Sequence, residues 1–104
     1  MKIVNETEFK EIIKEGVTLV DFYADWCGPC KALAPVLEEL SGVFTDVNFI
    51  KVNVDDNEET AMEYGIMSIP AVFMLKDGQI VGKTGGYRDF DAMKAFVEDT
   101  LKKI

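Results

Sequence analysis

No histidine occurs among the 104 residues, cysteine occurs twice and proline three times. Without imidazole there can be no Ser-His or Cys-His nucleophilic pair and no histidine metal ligand, so proton transfer falls to carboxylates, lysine or tyrosine. Two cysteines cannot complete a tetrahedral zinc site within one chain, and neither a metal nor a cofactor is expected. Basic residues are also few: 11 Lys and Arg against 19 Asp and Glu leave a net charge of −8. With no cationic cluster to offset it, this charge argues against nucleic-acid binding. The apolar run from Ile69 to Leu75 is too short to span a bilayer, and Met1 to Glu6 lack a secretory apolar stretch. A cytoplasmic protein with no membrane attachment is therefore expected. No repeat or Pro/Gly/Ser-rich linker divides the chain, and its hydrophobic content of 48% suits one core, so a single domain over 1–104 is expected.

Met1 to Val4 reads as a short strand. Asn5 followed by Glu8 has the spacing of a capping box, opening a helix that turns Phe9, Ile12 and Ile13 inward and stops at Gly16. Val17 to Tyr23 is almost continuously apolar, the pattern of a central strand buried on both faces. Lys31 to Leu40 has a helical stripe of Leu33, Val36, Leu37 and Leu40, interrupted by Pro35 and closed by Ser41-Gly42. Val47 to Val54 predicts a third strand, Asn57 to Tyr64 a short acidic helix closed by Gly65, and Ala71 to Leu75 a fourth strand. Lys76-Asp77-Gly78-Gln79 is a hairpin turn that returns Ile80 to Thr84 antiparallel, and Asp89 caps a last helix carrying Phe90, Met93, Val97 and Leu101. The order β-α-β-α-β-α-β-β-α predicts a three-layer α/β/α sandwich with a mixed sheet.

Cys27 and Cys30 stand three residues apart where the second strand gives way to a helix, close enough to pair reversibly. At a helix N-terminus the unpaired N–H groups and the helix dipole favour thiolate over thiol, which makes Cys27 the expected nucleophile. Cys30, one turn further in, is the expected resolving thiol that attacks a mixed disulfide. Gly28 permits close approach of another backbone, and Pro29 fixes φ at the helix entry. Gly28-Pro29 places no histidine or cation beside the nucleophile, which favours a reductant over an oxidant or isomerase. The competing reading of the same spacing is a static structural disulfide.

The run Val20-Asp21-Phe22-Tyr23-Ala24-Asp25-Trp26-Cys27-Gly28-Pro29-Cys30-Lys31 resembles the active-site signature of the thioredoxin family. Pro35 resembles the family's helix proline, Ile69-Pro70 its cis-proline loop and Gly85 the glycine of its third substrate loop, so the likeness spans nearly the whole chain. It implies a five-stranded mixed sheet with four helices. It also implies reduction of protein disulfides by a chain recycled by a thioredoxin reductase; a monomer is the default expectation. By this resemblance Asp21 accepts the Cys30 proton, Lys51 tunes Asp21, and Trp26 covers the site. The Ile69 backbone beside a cis Pro70, together with Gly85, would meet the substrate. Independently of the likeness, a carboxylate inside an apolar strand should have its pKa raised by desolvation, unless hydrogen bonds tie it up as a structural group. Tyr23 departs from the tryptophan that many relatives carry, and Met67-Ser68 makes this chain's own rim. Two further readings are a docking module using the surface around Trp26, Pro29 and Ile69, and a zinc or iron–sulfur site shared between two chains.

Overall fold

The computed structural model describes all of residues 1–104. Its elements run β1 (Lys2–Ile3), α1 (Glu6–Ile12), β2 (Val17–Tyr23), α2 (Gly28–Val43), β3 (Val47–Asn53), α3 (Glu58–Glu63), β4 (Ala71–Lys76), β5 (Gln79–Gly85) and α4 (Phe90–Leu101). One five-stranded sheet has the order β1-β3-β2-β4-β5, so the most apolar strand is the central one. β1 and β2 run parallel to β3, whereas β4 is antiparallel to β2 and β5 to β4. This is the thioredoxin fold implied above, with four helices on a mixed sheet.

Local chemistry explains most boundaries. The Asn5 side chain accepts the Glu8 N–H at 2.9 Å while the Glu8 carboxylate accepts the Asn5 N–H at 3.1 Å, completing the capping box at the start of α1. α1 ends before Gly16, however, and that glycine serves a different contact. Its N–H donates to Asp77 Oδ1 at 2.7 Å and its carbonyl accepts the Asp77 N–H at 2.9 Å, joining the entry of β2 to the β4–β5 turn. Asp77 and Gly78 both have positive φ, 48° and 84°, as a two-residue hairpin turn of this hand requires. α2 exceeds its sequence boundaries at both ends. It begins at Gly28, passes through Pro35 and continues beyond Ser41-Gly42 to Val43. Gly42 does not adopt the left-handed conformation that would end a helix, and the following Phe44 packs on the core, so burial carries the helix onward.

The sheet separates two apolar clusters. On one face Leu33, Leu37 and Leu40 of α2 and Met93 and Val97 of α4 pack over Leu19, Val47, Phe49, Val72 and Met74. On the other, Phe9, Phe22, Tyr64 and Phe73 stack with neighbouring ring centroids 5.3 to 6.3 Å apart beneath α1 and α3. A third, small cluster at the carboxyl end of β2 joins Tyr23 and Ala24 to the two cysteines. The fold thereby brings the central strand, the start of α2 and the loop before β4 to one end of the sheet.

Candidate active site

Cys27 is the N-cap of α2, with extended backbone (φ −88°, ψ 110°), and its sulfur accepts the Cys30 N–H at 3.2 Å. A cysteine thus stands where Ser, Thr or Asp usually caps, and the N–H of the third helical residue, Cys30, points at its sulfur. Cys27 and Cys30 form a disulfide, their Cα atoms 5.2 Å apart. Both residues are buried, at 4% and 3% exposure, while the intervening Gly28 and Pro29 are exposed. Exposure therefore does not distinguish the two sulfurs; position relative to the helix does. Cys27 receives the field of the helix N-terminus, and Cys30 lies inside the first turn.

The loop before β4 closes over the same end. The Ile69–Pro70 peptide bond is cis, and the Ile69 carbonyl oxygen is 3.8 Å from the Cys27 sulfur. Gly85 pairs with Ala71 at the end of β5, and a methyl group there would meet the Pro70 oxygen at an ordinary 3.7 Å. The backbone that demands glycine is instead Gly86, with φ of 76°, whose N–H donates to the Pro70 carbonyl at 2.9 Å. Trp26 is 71% exposed beside the cysteines, and with Val54, Ile66, Met67, Ser68 and Ile69 it lines a groove of about 170 Å³. Its indole N–H donates to Asp55 Oδ2 at 2.9 Å, a contact across 29 residues of sequence that no local pattern announces.

Asp21 lies in the middle of β2 with 1% of its surface exposed, and neither carboxylate oxygen has a hydrogen-bond partner in the protein. It is not tied up by hydrogen bonds as a structural group would be. Burial raises its pKa from 3.8 to about 6, with the Lys51 ammonium acting in the opposite direction. Lys51 is the register partner of Asp21 across the β2–β3 pair, and its Nζ lies 4.3 Å from the centre of the Tyr23 ring. Tyr23, Lys51, Asp25, Lys31 and Cys30 line a cleft of about 240 Å³ beside the disulfide. The structure thus gathers Cys27, Cys30, Trp26, Ile69, Pro70 and Gly85 at one end of the sheet, with Asp21 and Lys51 just beneath. Such an arrangement can exchange thiols for disulfides at Cys27 and Cys30.

Comparison with known proteins agrees with this geometry. The thioredoxin family model matches residues 1–99. The chain is 46% identical over 104 residues to a thioredoxin of Bacillus subtilis, covering 97% of this chain and 100% of the relative. It is 43% identical over 99 residues to a thioredoxin of Staphylococcus saprophyticus, covering 94% and 95%. Among solved structures, Plasmodium falciparum thioredoxin superposes with a TM-score of 0.90 at 40% identity over 95% of this chain and 98% of that one. Fasciola hepatica thioredoxin superposes at 0.85 with 32% identity over 94% and 98%.

Proposed function

The chain belongs to the thioredoxin family, an oxidoreductase whose thiol–disulfide chemistry resides in Cys27 and Cys30, and from that premise we propose how it works and on what. It is a general protein-disulfide reductase and electron carrier. The Cys27 thiolate attacks one sulfur of a substrate disulfide, forming a mixed disulfide and expelling a substrate thiolate. Cys30 then gives its proton to the Asp21 carboxylate, attacks the Cys27 sulfur as a thiolate and expels the second substrate sulfur as a thiolate, which takes up a proton from solvent. Two electrons pass from the dithiol to the substrate, leaving the Cys27–Cys30 disulfide, which a thioredoxin reductase returns to the dithiol.

The observation that carries this reading is the Cys30 amide directed at the Cys27 sulfur from the first turn of α2, a donor best satisfied by a thiolate. The Ile69 carbonyl beside that sulfur supports pairing with an extended substrate segment, with Trp26 and Gly85 flanking it. Asp21, unpartnered and raised toward neutrality, is suited to accept a proton in the working pH range. We further propose a single-domain, monomeric, cytoplasmic protein; no helix is long and apolar enough to cross a membrane. The experiment that tests the reading is trapping. Mixed with oxidised insulin, Cys30→Ser should accumulate a covalent adduct through Cys27 that dithiothreitol dissolves, and Cys27→Ser should give none. Equal trapping through both positions would reverse the roles, and a partner retained without either sulfur would favour the docking module.

A further inference from the structure

Lys51 takes part in none of the ion pairs of the structure, although Asp21 is its register partner. A lysine side chain with four rotatable bonds does not hold one position unaided. The partner its ammonium does have is the face of the Tyr23 ring, 4.3 Å from the centroid and well within cation–π range. Tyr23 is buried, two residues beyond Asp21 on the same face of β2, so its ring is fixed relative to the carboxylate. Ring and ammonium both border the cleft that reaches Cys30. We infer that Tyr23 is a positioning residue whose ring holds the Lys51 ammonium at the mouth of the Cys30 cleft, keeping that cation within electrostatic reach of the buried Asp21 carboxylate.

The charged and titratable groups here are Asp21 and Tyr23 of β2, Asp25 after it, Lys31 of α2 and Lys51 of β3, with Asp56 also acting on Tyr23. On this face of the core β4 and α4 contribute apolar side chains, Val72, Met74, Met93 and Val97 buried and Phe90, Phe96 and Leu101 partly so, and no charged group. Lys51 is therefore the one cation acting on Asp21, and whatever fixes Lys51 helps fix the acidity of Asp21. Burial, with Asp25 next in weight, raises the phenol pKa of Tyr23, so the ring stays neutral under working conditions and can face a cation. The consequence for Cys30 rests on the proton-acceptor reading of Asp21; the placement of Lys51 by Tyr23 does not.

The test follows the Asp21 carboxyl carbon by NMR against pH in the oxidised protein, where no substrate, reductase or turnover enters the reading. Tyr23→Leu, Lys51→Met and the double variant form a cycle with the native chain. Tyr23→Leu should raise the Asp21 midpoint by about half a pH unit more in the native background than in the Lys51→Met background, the size of an exposed cation–π attraction. Tyr23→Phe, which keeps the ring, should titrate like the native chain. Equal effects in both backgrounds, or a Tyr23→Phe change as large as that of Tyr23→Leu, would overturn the inference. If Tyr23→Leu does not fold, the side-chain methylene protons of Lys51 in the native chain give a second reading. They should resonate upfield of those of the lysines with no aromatic ring beside them, Lys83 over the Phe73 ring being set aside, and shifts within the range of those lysines would overturn it. A failure of the thiol chemistry itself would appear in insulin trapping and leave these midpoints untouched.

Discussion

The two faces of the sheet are buried to similar depth but built from different material. Beneath α1 and α3 the core is largely aromatic, with Phe9, Phe22, Tyr64 and Phe73 meeting at tilted or edge-on angles. Beneath α2 and α4 it is mostly aliphatic, and on that side β2 carries Asp21, the only buried charged residue of the chain. Depth of burial alone would not say which face works. The aromatic face encloses one polar group without a hydrogen bond, the neutral Thr18 hydroxyl, while the aliphatic face keeps a carboxylate without one, at a greater cost in stability, on the strand whose carboxyl end meets the disulfide. The buried charge, not the buried hydroxyl, lies on the side of the sheet that α2 covers.

The largest way to sharpen that contrast is to damage the aromatic face. Phe22→Ala should lower unfolding free energy by about 3–5 kcal/mol in guanidinium titrations, the range for truncating an enclosed ring, because Phe22 is fully buried. Folded Phe22→Ala should still reduce insulin. On the other face the sign reverses. Asp21→Asn should stabilise the protein at pH 8 by up to about 3 kcal/mol, the equivalent of a rise from 3.8 to about 6, while slowing the release of mixed disulfide. Because the folded-state value lies above the unfolded one, the native chain should match the variant below about pH 4. It should then lose ground up to about pH 6 and run level beyond. Stabilities that stay parallel from pH 3 to 8 would contradict a buried carboxylate that charges only with difficulty.

A smaller effect belongs to Gly82, on β5 beneath α4. A methyl group there would come within 2.7 Å of the Thr100 hydroxyl, which is held by donating to the Phe96 carbonyl at 2.8 Å. Gly82→Ala should therefore cost about 1–3 kcal/mol by overpacking, measured by thermal unfolding, with thiol chemistry intact. The smallest effect belongs to the rim. Trp26→Phe removes an exposed indole and its bond to Asp55 and should change stability by no more than about 0.5 kcal/mol. Its effect should appear instead in the apparent affinity for protein disulfides.

Much of this was legible in the sequence because it was local. The Asn5–Glu8 box, the nearly continuous apolar run of β2, the Asp77-Gly78 turn and the Asp89 cap each declare themselves within a few residues. The end of α2 was not legible, since Ser41-Gly42 looks like a stop until Phe44 finds the core. The cis bond before Pro70 came from resemblance, not from any local propensity. Contacts across the sheet were hidden for a different reason. Tyr23 against Lys51 and Trp26 against Asp55 depend on the register between β2 and β3 and on a loop 29 residues away, and neither leaves a periodic trace.

The most direct test of the whole account is the rate at which the chain accelerates insulin reduction by dithiothreitol, measured for the native protein, Cys27→Ser and Cys30→Ser side by side. Strong acceleration by the native chain, with neither variant turning over, is expected of a dithiol carrier. Acceleration that survives the loss of Cys27, or none from the native chain, would contradict it.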